Sequence, residues 1–302
     1  MSDTNKAEKI LIVGAGQMGT GIAHAFALAG YPVALVDQSQ DALDLSISKI
    51  KSILAGGVRL KKVSQADADR AIRLITRSQD LESSARGADL VIETASEKIA
   101  IKHEIVRVVD AVVSATAVIA TNTSALGITE IAAASTHPGR VIGMHFFNPV
   151  HIMKLVEIIP GLMTDQATTD KVAAWCKVIE KTSTVVKDSP GFVTTRMSVM
   201  LGNEAMYMLA EGLASAEDID TSFRLGFSHP MGPLELGDLT GWDTRLSVLK
   251  YLHKTLGEKF RPCPLIIKMV ESGRFGRKVG HGVYNYADDG SKIPGSGLKD
   301  SL

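Results

Sequence analysis

Residues 10–37 constrain the fold more than any other stretch of the chain. They read Ile10-Leu-Ile-Val-Gly14-Ala15-Gly16-Gln17-Met18-Gly19, then an apolar run to Ala29, then Gly30-Tyr-Pro32-Val-Ala-Leu-Val-Asp37. A short apolar run followed by glycines at 14, 16 and 19 closes a strand, turns sharply and opens a helix inside one β-α-β unit. Gly14 permits the tight turn and Gly16 leaves room for backbone to approach a pyrophosphate. Gly19 lets the helix lie close on the sheet, with its N-terminal N–H groups facing the anion. The helix, expected over 20–29, is stopped by Gly30 and Pro32. The second strand, 33–36, ends in Asp37, where a carboxylate accepts hydrogen bonds from both hydroxyls of an adenosine ribose. A 2′-phosphate there meets a like charge, so the pattern points to NAD rather than NADP. A glycine triplet alone also describes an ordinary strand-to-helix turn. The strand before it, the helix after it and the acidic strand end favour the dinucleotide.

A chain of 302 residues is long enough for two domains. Lysine plus arginine equals aspartate plus glutamate at 33 each, so no charge excess points to nucleic acid or to a membrane surface, and a small partner is expected. No apolar run reaches the length of a bilayer span, and the first residues carry no signal-peptide core. Together with only two cysteines, Cys176 and Cys263, this reads as a cytoplasmic protein. The cysteines have neither metal spacing nor company, and no metal is expected.

Beyond Asp37, residues 41–54 place Leu43, Ile47, Ile50 and Leu54 on one helical face, and Gly56-Gly57 is expected to interrupt that helix. A second helix over 65–75, capped by Ser64 with Asp67 three residues on, completes a helical hairpin inserted between strands two and three. Its exposed side carries Lys49, Lys51, Ser52, Arg59, Lys61 and Lys62. A solvated helix face and an anion-binding surface both fit that cluster. The parallel pattern resumes with a strand at 88–93, a helix at 98–113 and a strand at 118–121. Ligands of open α/β sheets sit outside the carboxyl ends of the strands, which puts Glu93, Glu97 and Ser124 on the ligand rim. A helix at 129–134, strands at 141–145 and 154–159, a helix at 165–179 and a strand at 184–187 follow. Asp188-Ser189-Pro190-Gly191 is the best domain boundary. Past it the strands vanish, and helices are expected over 192–213, 216–225, 242–256 and 264–272. The Gly/Ser-rich end, 289–302, is expected to fray.

Hydride transfer from a secondary alcohol to NAD needs a base for the hydroxyl proton. His145 stands at a strand end, and Glu157 follows on the next strand after a turn at Pro149, so the two side chains can lie abreast. The carboxylate would then orient the imidazole and stabilise its protonated form. Taken alone, a histidine beside two phenylalanines also fits a packed ring, and Glu157 an ordinary ion pair.

Several ordered motifs together resemble the L-3-hydroxyacyl-CoA dehydrogenase family, and within it the short-chain 3-hydroxybutyryl-CoA dehydrogenases. They are the glycine loop 10–19, Thr121-Asn-Thr-Ser124, His145-Phe-Phe-Asn-Pro149 with Lys154-Leu-Val-Glu157, and Ser189-Pro-Gly-Phe192. His229-Pro-Met-Gly-Pro-Leu-Glu-Leu-Gly-Asp238 and Gly276-Arg-Lys-Val-Gly-His-Gly-Val-Tyr284 complete the set. The resemblance implies a mostly parallel Rossmann-type α/β domain over 1–188, with the inserted hairpin. A smaller all-α domain over 189–302 would follow it, for substrate binding and homodimer formation, with the active site in the cleft between the two.

The same resemblance implies His145 as acid/base with Glu157 as its partner, Ser124 bonding the substrate's C3 oxygen, and Asn148 beside the histidine. It implies NAD contacts from the loop Gly14, Ala15, Gly16, Gln17, Met18 and Gly19, from Asp37, Glu97, Lys102 and Lys278, and from Ser124 and Asn148. Ser52 and Arg59 match positions that hold the CoA phosphates, and a basic hairpin suits those anions. One departure concerns Thr195, where many members carry a substrate-contacting Asn: threonine keeps a hydroxyl but loses the amide. The activity implied is reversible NAD-dependent oxidation of a short-chain (S)-3-hydroxyacyl-CoA. The alternatives are a hydroxyacid or sugar-acid dehydrogenase on a similar plan, which has no need of a basic hairpin, and a non-catalytic relative.

Overall fold

The structure, a computed structural model, describes residues 8–299. The chain divides into two compact units, 1–189 and 190–302. In the first, the elements in order are β1 (Ile10–Val13), α1 (Gln17–Leu28), β2 (Val33–Val36), α2 (Gln40–Arg59), α3 (Gln65–Arg73), β3 (Ile75–Ser78), α4 (Leu81–Ala85), β4 (Leu90–Glu93), α5 (Ile99–Asp110), β5 (Val118–Thr121), α6 (Ile128–Ala132), β6 (Val141–Phe146), β7 (Leu155–Pro160), α7 (Gln166–Val178) and β8 (Thr182–Val185). Eight strands form one sheet in the order β3-β2-β1-β4-β5-β6-β7-β8. Every neighbouring pair is parallel except β6 and β7. Strands β1, β2, β4 and β5 are buried at every residue. That follows from helices covering both faces of a parallel sheet, which leaves no side for polar alternation. One face packs Ile10, Ile12, Leu35 and Ile92 against Ile22, Phe26, Leu43 and Val172. The other packs Leu11, Val91 and Ile119 against Val106, Val109 and Ile131. This is the expected α/β architecture, a mostly parallel sheet with helices followed by a helical C-terminal region.

The hairpin differs from expectation in one respect. Helix α2 runs unbroken through Gly56-Gly57 to Arg59. A glycine in a helix costs only about 1 kcal/mol against alanine and keeps its N–H, so a pair of them weakens a helix without ending it. The Leu60 N–H still reaches the Gly56 carbonyl at 3.0 Å. At Gly57 a Cβ would stand 3.0 Å from Val63 Cγ2, so the small residue also serves the turn into α3. Ser39 and Ser64 cap the two helices by accepting the N–H groups of Ala42 and Asp67, at 3.2 and 3.0 Å. Helix α3 stops at Arg73, and Ile75, expected inside it, opens β3.

The second unit is built from α8 (Thr194–Ala210), α9 (Ala216–Gly226), α10 (Pro233–Thr240), α11 (Trp242–Leu256) and α12 (Pro264–Glu271), around Met206, Leu234, Trp242, Leu249 and Phe260. Two motifs singled out in the sequence meet here. The Asp238 carboxylate accepts from the N–H groups of Val283 and Tyr284, from Trp242 Nε1 and from the Tyr286 hydroxyl, at 2.7 to 3.0 Å. A Cβ at Gly282 would fall 2.0 Å from Asp238 Oδ1, so that glycine is demanded by the close approach. The expected fraying of 289–302 is corrected for the described part. The Gly297 N–H donates to Glu217 Oε1 at 2.8 Å and the Leu298 N–H to the Val283 carbonyl at 2.8 Å. Those bonds anchor the segment despite its flexible composition. Residues 300–302 lie outside the described residues.

Candidate active site

Because β1, β2, β4, β5 and β6 are parallel, their carboxyl ends share one edge of the sheet, and the polar strand ends gather there. The glycine loop follows β1. Gly14 has a φ of +103°, and a Cβ on it would press to 2.8 Å from Thr94 Oγ1. A Cβ on Gly19 would fall 1.8 Å from the Gly14 carbonyl oxygen, so α1 can start this close to the strand only with glycine at 19. Gly16 is the N-cap of α1, and a Cβ there would meet nothing within 4 Å. That open space lies at the positive end of a 12-residue helix with no acidic residue in its first turn, a cradle suited to a pyrophosphate. Asp37, at the end of β2, is half-buried. Its Oδ2 accepts the Ala15 N–H at 2.8 Å and its Oδ1 the Ser39 N–H at 2.9 Å, which holds the carboxylate against the loop. These residues fit a dinucleotide.

Across the antiparallel β6–β7 pair, His145 and Glu157 are direct partners in register. Side chains of directly opposed residues lie on the same face a few ångströms apart, and here His145 Nδ1 stands 2.8 Å from Glu157 Oε2. Both are buried, at 4% and 1% exposure. A carboxylate only accepts, so Nδ1 carries the proton and the tautomer is set. The Phe147 ring packs 4.6 Å from the imidazole, centroid to centroid. Asn148 is exposed on the turn beyond.

Ser124, half-buried, follows β5. Its N–H donates to Glu97 Oε1 at 3.0 Å, and the Thr123 hydroxyl donates to the same oxygen. Asn122 Oδ1 accepts the Phe146 N–H at 2.8 Å, which ties this loop to the strand that carries His145. The loop and the histidine are thus fixed to one another through backbone and side chain. Sequence reasoning did not identify Asn122 or Thr123 as supports for this site, and it placed Glu93 on the ligand rim, whereas Glu93 is fully buried and bonded to Lys102. Only the adjacency of β4, β5 and β6 reveals these supports.

Lys102 stands apart from the other expected cofactor contacts. It is fully buried, and its Nζ reaches Glu93 Oε1 and Oε2 at 3.0 and 2.9 Å and Glu97 Oε2 at 3.4 Å. Ser52 and Arg59 are both exposed on α2, seven residues apart and therefore on one helix face. Thr195 and Lys278 belong to the second unit. Thr195 is half-buried in the first turn of α8, and Lys278 bonds the Asp243 carboxylate at 2.6 and 2.8 Å.

The chain matches two family models, the 3-hydroxyacyl-CoA dehydrogenase NAD binding domain over residues 9–189 and the 3-hydroxyacyl-CoA dehydrogenase C-terminal domain over 191–286. It is 44% identical over 282 residues to a probable 3-hydroxybutyryl-CoA dehydrogenase of Bacillus subtilis, covering 93% of this chain and 98% of that protein. It is 44% identical over 280 residues to a 3-hydroxybutyryl-CoA dehydrogenase of Bradyrhizobium diazoefficiens, covering 92% and 95%. Among solved structures, an (S)-3-hydroxybutyryl-CoA dehydrogenase from Ralstonia eutropha superposes with a TM-score of 0.89 at 42% identity, over 94% of this chain and all of that one. With both domain models matched in order, and relatives this similar over almost their full length, the chain belongs to the 3-hydroxyacyl-CoA dehydrogenase family.

Proposed function

We propose that this protein is an NAD-dependent dehydrogenase that interconverts a short-chain (S)-3-hydroxyacyl-CoA and its 3-oxo form, with 3-hydroxybutyryl-CoA and acetoacetyl-CoA as the pair. The observation that carries the reading is the buried His145–Glu157 pair at 2.8 Å, in the same unit and on the same sheet as the glycine cradle. The acyl-CoA substrate is supported by the names of the relatives at 44% identity.

Bound NAD would supply the hydride acceptor; Gly14, Ala15, Gly16, Gln17, Met18 and Gly19 would hold its pyrophosphate and Asp37 its adenosine ribose, with Glu97, Ser124, Asn148 and Lys278 as further contacts and Lys102, which is fully buried, acting through Glu97. With Nδ1–H donated to Glu157, proton exchange with the substrate falls to His145 Nε2. In oxidation it takes the C3 hydroxyl proton. The nearby carboxylate then stabilises the imidazolium, a charge that would be costly in this buried position without it. Ser124 and Asn148 orient the C3 oxygen, and the Ser124 hydroxyl donates to the negative charge that develops there during reduction. Ser52 and Arg59 hold the CoA phosphates on the hairpin, and Thr195 contributes to acyl preference.

In this reading residues 1–188 form the NAD-binding domain, and residues 189–302 serve substrate binding and pair two copies into a homodimer. The enzyme is cytoplasmic, in keeping with Cys176 and Cys263 as unpaired, buried thiols. Among the described residues no helix is long and apolar enough to cross a membrane. The test is loss of NADH absorbance with acetoacetyl-CoA beside acetoacetate. Turnover of the thioester alone is expected. Equal turnover of the free acid would favour a hydroxyacid dehydrogenase, and no turnover of either would leave a non-catalytic relative.

A further inference from the structure

Glu93 ends β4 with no exposed surface and a saturated carboxylate. Its Oε1 accepts the Ala95 N–H at 2.6 Å and Lys102 Nζ at 3.0 Å, and its Oε2 accepts Lys102 Nζ at 2.9 Å and the Thr121 hydroxyl at 2.6 Å. Lys102, equally buried on α5, extends the same ammonium to Glu97 Oε2 at 3.4 Å. Glu97 is different in kind: its side chain is 44% exposed. Yet its other oxygen takes both the Thr123 hydroxyl and the Ser124 N–H. A continuous chain of charge-assisted contacts therefore runs from the core of the sheet, through Lys102 and Glu97, to the backbone of Ser124.

Burying a carboxylate and an ammonium costs several kcal/mol for each ion, and a well-packed apolar pair of similar volume serves stability as well or better. What an apolar pair cannot do is hold the exposed carboxylate of Glu97 in one orientation. That takes a fixed positive charge, and a fixed ammonium in a dry core takes its own counter-charge. We propose that Glu93 is a positioning residue for the reaction: through Lys102 it fixes Glu97, and so sets where the Ser124 hydroxyl stands against the reacting C3 oxygen. This rests on the reading of Ser124 as the group that bonds that oxygen.

A double-mutant cycle on the full-length enzyme, with acetoacetyl-CoA and NADH, separates positioning from support of the fold. Glu93→Gln should lower kcat about 10- to 100-fold, the effect of a displacement near 1 Å at a reacting group, while KM for the thioester changes little. In a Ser124→Ala background the same substitution should lower kcat less than about threefold, because the hydroxyl it positions is already gone. Glu93→Asp, which keeps the charge and shortens the reach, guards against a failure to fold. It should give a smaller loss of kcat that likewise vanishes in Ser124→Ala. Melting temperatures are measured alongside, since a loss of stability should be the same in both backgrounds. If either Glu93 substitution lowers kcat by the same factor with and without the Ser124 hydroxyl, Glu93 does not act through Ser124 and the proposal is wrong. If Ser124→Ala by itself leaves kcat unchanged, the role of Ser124 fails and this inference goes with it, whereas the dehydrogenase activity of the parent enzyme would still stand.

Discussion

His145 and Glu157 are opposed on two antiparallel strands, and the proposed proton transfer needs both. Replacing His145 by glutamine removes the proton acceptor but keeps a hydrogen-bonding side chain of similar size. Turnover should fall roughly 10²- to 10⁴-fold, the range for loss of a positioned acid/base, with NADH affinity nearly unchanged. Glu157→Gln should also be slow. The double variant should be little worse than the worse single one, because residues that act as a unit are not additive. Near-normal turnover of His145→Gln would remove the histidine from the mechanism. This pair was legible in the sequence because a strand, a proline turn and a second strand leave few ways to arrange two residues 12 apart. Glu93 was legible only as one more acidic strand end. What distinguishes it, the ammonium of Lys102 on its carboxylate, depends on where α5 docks on the sheet, and no local pattern encodes that.

At the scale of elements, the inner strands could be read because covering both faces makes them unbroken apolar runs. Strand β3 could not: Ile75-Thr-Arg-Ser78 lies at the sheet edge, where exposed polar residues are tolerated and the pattern blurs. The basic hairpin was legible as a cluster without a purpose, and its purpose can be tested. An exposed ion pair is worth about 0.2–1 kcal/mol, so Arg59→Ala should raise KM for acetoacetyl-CoA roughly two- to fivefold. A truncated acetoacetyl thioester that lacks the nucleotide should be unaffected. Added salt should erase the difference, since exposed charges are screened over about 8 Å at physiological ionic strength. Equal responses of both substrates would reduce the cluster to a solvated face.

Helix α1 carries a second measurable feature. Burial first, then the nearby His151 and Lys181, lower the His24 imidazole from 6.5 to about 4. Between those values the unfolded chain binds a proton that the folded chain does not. Stability should therefore be complete above about pH 6.5 and fall as pH drops toward 4, by about 3 kcal/mol from this group. His24→Leu should flatten that acid limb in melting experiments, and an unchanged slope would rule the assignment out.

For the molecule as a whole, the decisive surface is one side of α8. Val199, Met206 and Leu209 turn into the core of the second unit, as a single amphipathic face requires. Met197, Met200 and Leu201 turn the other way and are 58%, 37% and 37% exposed. Met197, Met200 and Leu201 lie within little more than one turn of each other and form a short exposed apolar stripe bordered by Glu204, while Met208 on the next turn is half-buried against the core. Apolar surface scattered singly needs no explanation, but a continuous stripe calls for a cover. A second copy supplies one most economically, since a two-fold axis buries the same stripe twice. Light scattering at micromolar concentration should give twice the mass of the chain. Met197→Glu combined with Leu201→Glu puts four carboxylates into such an interface, two from each copy, and should shift the mass toward that of a single chain while the helical circular dichroism is kept. A parent protein that already has the mass of one chain would refute the pairing, and so would a double variant that stays dimeric, because the stripe could not then be the surface that joins the copies.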